Sequence, residues 1–187
     1  MTRRISDTKP VSEFIETATC FCLLLENHRQ KTQIRFLQEV FIQLAQLCIS
    51  GMRLPDIKRL IDYDVPGMPH GQWKDMYQSL KNKIGQFNTY FQVSDPYDID
   101  DRKPMQSIIA DDISDIYQDI KPGLQEWENG DANIRLNIIW EWKFGYMTHW
   151  GEHATRAYNA LYYLLYQHIE DKNGDDLHIG IREIEME

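Results

Sequence analysis

The chain has 187 residues, 42% of them hydrophobic, with a net charge of -9 and a pI near 5.1. That length suits one domain with a real core, and an acidic balance with no cluster of Lys and Arg excludes a polyphosphate-binding footprint, which needs a basic field to release counterions. No window approaches the roughly 18 apolar residues of a membrane span, and the start MTRRISDTKPVSEF has no apolar signal core, so neither nucleic acid nor membrane is an expected partner.

Residues 1–9 are polar and read as a flexible N-terminus. Pro10 or Ser12 then opens a helix to about Asn27, with Val11, Phe14, Ile15, Ala18, Cys22 and Leu25 stepping by three and four. A second helix runs from about Gln30 to Ile49 on Ile34, Leu37, Phe41, Leu44 and Cys48, with Gly51 as its cap. Cys20 and Cys22 point about 200° apart on a helix and cannot chelate one ion there. With Cys48 they read as core thiols in a reducing, cytoplasmic compartment.

From Arg53 to Gly71 the segment is rich in Pro and Gly and reads as an irregular connection with at most a short helix between Asp56 and Asp62. A third helix is expected from Gln72 to Phe91 on Trp73, Tyr77, Leu80, Ile84, Phe87 and Phe91, Gly85 being a tolerated weak point. Asp98, Asp100 and Asp101 follow in an acidic loop without the central glycine or closing glutamate of an EF-hand, so solvated surface is the reading. A fourth helix, Ser107 to Ile120, packs Ile109, Ile113, Ile116 and Ile120 and carries Asp112, Asp115 and Asp119 in one stripe along its flank; Pro122 stops or kinks it.

Asp131 to Glu170 holds no proline and reads as one long, mostly buried helix with Asp131 as N-cap. One face, Trp140, Phe144, Met147, Tyr158, Leu161, Tyr162 and Leu165, reads as ordinary core. The other stacks Trp142, Tyr146, His149, His153 and Arg156. Two imidazoles and a guanidinium buried without partners would cost several kcal/mol, and the acceptors at hand are Asp112, Asp115 and Asp119 on a helix folded back antiparallel. His28, His70, His168 and His178 read as surface residues. Residues 171–187 form a polar tail, disordered or a short strand.

Three readings compete for the cluster. In the plainest, Asp112, Asp115, Asp119, His149, His153 and Arg156 form a structural network that specifies packing, without cofactor. In the second, His149 and His153, one turn apart, bind a divalent metal with Asp112 and Asp115; Glu152 lies off their face, so a zincin arrangement is not reproduced, and the paired E-x-x-H motifs of di-iron bundles are missing. In the third, Trp142 and Tyr146 line a small-ligand pocket in which Arg156 fixes an anion. Nucleophile-elbow, P-loop and Rossmann glycine patterns are absent.

DDISDIYQDIKPGL and WEWKFGYMTHWGEHATRA together resemble a bacterial family of unknown function, DUF5063, through a D-D-x-x-D-I-Y-x-D-x-K-x-G-L segment and a W-x-W plus H-W-G-x-H helix. The positions that carry the likeness are Asp111, Asp112, Asp115, Ile116, Tyr117, Asp119, Lys121, Gly123, Leu124, Trp140, Trp142, His149, Trp150, Gly151 and His153. It spans most of residues 10–168 and implies an all-helical cytoplasmic domain with no assigned activity. The expectation is an all-α antiparallel bundle of five or six helices over residues 10–170 around the long C-terminal helix. Its expected role is that of a non-enzymatic scaffold or partner-binding domain, with a protein partner or a second copy of itself.

Overall fold

The computed structural model describes residues 5–60, 63–93, 97–98, 100 and 103–168. The tail expectation for 171–187, His178 and Asp101 lie outside them. Among the described residues there are six α-helices and one two-stranded hairpin. After a 3-10 turn at Ile5–Asp7, α1 spans Lys9–Glu26, and Pro10 in its first turn costs no hydrogen bond there. The second helix, α2 at Gln33–Arg53, is capped by the Thr32 hydroxyl, which accepts from the Arg35 amide. Gly51 lies inside it rather than at its end, and serves the packing: a Cβ there would run into the Trp150 indole.

Residues 55–60 carry no helix; the connection crosses later elements instead. Its Val65 amide donates to Glu141, its Tyr63 carbonyl accepts from the Asn137 amide, and the Tyr63 hydroxyl donates to Glu126 at 3.0 Å. α3, His70–Ile84, stops earlier than the apolar stripe suggests. Gly85 has φ of +58°, a left-handed conformation that ends a helix at little cost only for glycine, and Gln33 donates to the freed Ile84 carbonyl at 2.8 Å. The chain then pairs β1, Thr89–Gln92, antiparallel with β2, Met105–Ile108. The fold is therefore mostly helical but not all-α: period-two residues of the expected third helix form a strand.

α4, Ile109–Trp127, continues through Pro122. The carbonyl that proline cannot satisfy belongs to Gln118, which is exposed to water, and the Trp142 indole donates to the Ile120 carbonyl at 3.3 Å. α5, Ala132–Thr148, begins on Asp131, whose carboxylate accepts from the Asn133 and Ile134 amides. The single long helix expected from Asp131 to Glu170 is broken at His149, with φ of -150° and ψ of -83°, and resumes as α6, Trp150–Tyr163, ending in a π-helical turn at Leu164–His168. Glycines cause the break to be affordable: Cβ atoms at Gly145 or Gly151 would strike the Trp150 ring or the Tyr146 carbonyl. The indole of Trp150 turns fully into the core and donates to the Trp142 carbonyl at 3.0 Å.

Phe14 packs against Trp142 and Trp150 at the centre of the core. The face of Asp131–Glu170 expected as core is divided: Leu161 and Leu165 are buried as expected, but Phe144 is 46% and Met147 62% exposed, and Tyr158 and Tyr162 also reach solvent. Cys22 is buried but Cys20 is exposed, since residues on opposite sides of one helix cannot both face the core. His28, expected at the surface, is buried between the Leu25 carbonyl and the Ser79 hydroxyl. No described helix is long and apolar enough to cross a membrane.

Candidate metal centre

Asp112, Asp115 and Asp119 recur every three or four residues, so α4 presents them in one row. His149 sits at the break, and His153 and Arg156 follow on α6. Asp119 meets His149 and Asp112 meets His153, so α4 and α6 run antiparallel with the two rows opposed. The histidine rings are stacked edge to face, their centroids 4.8 Å apart.

Each histidine is held by a carboxylate on its Nδ1. The His149 Nδ1 is 2.7 Å from Asp119 Oδ2, and the His153 Nδ1 is 2.8 Å from Asp112 Oδ1. The second oxygen of Asp112 accepts from the Tyr90 hydroxyl at 2.7 Å, which places β1 over this end of the row. Asp115 accepts from the Trp73 indole at 2.7 Å on Oδ1, leaving Oδ2 3.6 Å from His153 Nε2. Asp115, His149 and His153 can therefore offer one donor atom each, all within 4.8 Å of one another. Donors held about 2.0–2.1 Å from one ion are at most about 4 Å apart, so closure on a metal needs side-chain shifts under about 1 Å.

The electrostatics favour a cation. Hydrogen bonding to Asp112 pushes the His153 pKa above its ordinary value, against the burial that opposes it. Burial raises the Asp119 carboxyl, with His149 acting the other way, and burial followed by the charges of Asp115 and Asp112 raises Asp111. Crowded carboxylates that resist ionisation are relieved by a positive charge, whether proton or metal.

Asp112, Asp115, Asp119, His149 and His153 are thus brought together, and Arg156 stands one turn farther along α6, paired with Glu152 rather than with an aspartate. Asp112 is not placed as a ligand: both its oxygens are engaged, by His153 and Tyr90. Trp142 and Tyr146, expected to line a pocket with Arg156, are packed on the core instead. Trp142 is 1% exposed against Phe14 and Trp127, and Tyr146 packs on Trp150. The helix break is the reason, since it turns α5 and α6 relative to each other and separates residues that one straight helix would align. Two participants escaped the sequence reading, Tyr90 and Trp73. A Trp on an apolar stripe still carries an N–H that needs an acceptor, which was the one signal available for Trp73.

Two histidines and one carboxylate, with both Nδ1 atoms held by outer carboxylates, match the way proteins orient imidazole ligands: the outer acceptor fixes the tautomer that leaves Nε2 free. Such a set leaves coordination positions open to water or substrate, and it suits zinc or iron(II) better than calcium or magnesium, which prefer all-oxygen shells.

The family model described as "Domain of unknown function (DUF5063)" matches residues 6–167, and the chain belongs to that family. The crystal structure of protein BF1032 from Bacteroides fragilis is similar, with a TM-score of 0.78 at 20% identity over 90% of this chain and 99% of that one, which shows a shared fold. No curated protein matches the chain.

Proposed function

We propose that this member of the DUF5063 family is a metal-binding protein whose mononuclear divalent centre is formed by Asp115, His149 and His153, with Asp112 and Asp119 as outer carboxylates. The carrying observation is the paired restraint of both imidazoles: a carboxylate on each Nδ1, with the remaining donors converging within 4.8 Å. The His149 side chain is 51% exposed and could meet water instead, so burial alone does not require its pairing with Asp119. The metal would supply Lewis acidity at positions open to solvent; the chain's own residues bind and orient it. Elemental analysis and calorimetric titration of untagged protein with zinc and iron(II) should show one ion per chain, lost in His149→Ala with His153→Ala. Absence of stoichiometric binding in folded wild-type protein rejects the centre and leaves a structural network.

A second reading, a partner-binding scaffold, draws on the exposed apolar side chains of α5 and α6. Phe144, Met147, Tyr158, Tyr162 and Tyr166 all reach solvent, and Phe41 of α2 stacks on Tyr158 with ring centroids 4.5 Å apart. Aromatic side chains are enriched where proteins meet. Light scattering of the protein alone, together with a native-lysate pull-down, tests this; a monomer that recovers no reproducible partner contradicts it.

A further inference from the structure

The row that holds the centre does not end at Arg156. Asn159, Ala160 and Tyr163 continue the same face of α6 by steps of three and four, and there they line a cleft of about 430 Å³ with Phe87, Tyr90 and Phe91. That volume is within the range of small-molecule sites. Its walls are unusual for water-facing surface: Phe91 is 68% and Tyr163 52% exposed, so large apolar rings stand open on both the hairpin side and the helix side. Tyr90 belongs to both places, lining the cleft while its hydroxyl donates to Asp112, the carboxylate that holds His153. Arg156 does not line the cleft but lies on α6 between His153 and Asn159; its side chain is 22% exposed and its partner Glu152 is a half-exposed neighbour one turn back. An intrahelical pair of that kind is weak and open to displacement by a better-placed anion.

We infer that the cleft and Arg156 form a binding site for a small amphiphilic carboxylic acid, its aromatic or branched apolar body between Phe91 and Tyr163 and its carboxylate on Arg156 beside the centre. The inference rests on the metal reading for the carboxylate's second contact; the guanidinium and the cleft stand without it. Charge and shape are both used. A neutral apolar molecule would leave Arg156 to its pair with Glu152, and a bare oxyanion would leave the two rings in water. A guanidinium recognises a carboxylate through two parallel hydrogen bonds, which gives the head group a fixed direction, and the cleft lies in line with it along the helix.

Hydrocinnamate, its neutral amide and acetate are the probes, titrated calorimetrically into the protein with and without cobalt(II). Hydrocinnamate should bind at least about tenfold more tightly than either the amide or acetate, since each removes one of two contacts. Arg156→Gln should abolish the preference for acid over amide while keeping the cobalt stoichiometry of the wild type. Phe91→Ala with Tyr163→Ala, both at positions more than half exposed and so tolerated by the fold, should bring hydrocinnamate down to the level of acetate. If cobalt is not taken up, the metal reading fails by itself, and the same titrations on metal-free protein decide the cleft. Equal binding of acid and amide, no binding of any probe in either form, or indifference to these variants overturns the inference. So does a dimer that Phe91→Ala with Tyr163→Ala dissociates, which would assign the cleft to a second copy of the chain.

Discussion

Asp112, 4% exposed, faces the His153 Nδ1 at 2.8 Å with one oxygen and accepts from the Tyr90 hydroxyl at 2.7 Å with the other. A carboxylate so removed from water depends on both partners, and removing either leaves a buried group short of a hydrogen bond. Asp112→Asn should destabilise the protein by about 1–3 kcal/mol in urea unfolding. Tyr90→Phe should cost about 1 kcal/mol, and the double variant less than the sum, because both act on one carboxylate. Unchanged midpoints would show that the triad contributes nothing.

In the proposed centre, protons and metal would compete for His153. Its pKa is raised from 6.5 by the hydrogen bond to Asp112, so its stabilising contribution in metal-free protein is fully present below pH 6.5 and is lost as pH climbs through the raised value. The stability difference between wild type and His153→Phe should therefore shrink from pH 6 to alkaline pH. Metal affinity should run the other way, rising with pH until the imidazole proton is gone, and uptake should release protons, visible as a buffer-dependent calorimetric heat. A pH-independent affinity across this window would contradict His153 as a ligand.

Trp73 aims one oxygen of Asp115 by donating to the other at 2.7 Å. Trp73→Phe keeps the ring and removes the donor. Outer-shell changes of this type lower metal affinity about 10–100-fold, and that loss, with little change in melting temperature, is the expected result. Equal affinity in the variant would mean that the indole orients nothing.

Gly151 makes room for the turn that presents His149, since an added Cβ would strike the Tyr146 carbonyl. Backbone is a hard wall, so Gly151→Ala should cost about 1–3 kcal/mol through overpacking. It should also weaken metal uptake by moving His149 off Asp119. Full stability and full uptake would argue that α5 and α6 form one uninterrupted helix in solution.

Much of the site was legible before any coordinates. The Asp112, Asp115 and Asp119 row and the His149, His153 and Arg156 row are helical periodicities, and periodicity is a local property that a sequence carries openly. Their facing each other followed from need: buried imidazoles require acceptors, and one acidic row was available. The roles within the site were less legible. Asp112 was expected beside the histidines and is there, but its second oxygen is taken by Tyr90, a hairpin residue that no helical pattern could connect to α4.

By itself, then, the sequence determined the helical class, the acidic surface and the two rows of polar residues, all set by local propensity, charge and spacing. Tertiary structure decided where helices end and which faces are inside. Gly85 looked like a weak point in a helix and is its terminus, because only the packing shows that its φ is positive. Gly145 and Gly151 lie inside the stretch that read as one long helix, yet they admit Trp150 into the core beside the break at His149. Once that break turns α6, Phe144 and Met147 face solvent and the histidines face α4. Glycine has no side chain to announce its purpose; what it makes room for is settled by residues distant in the chain.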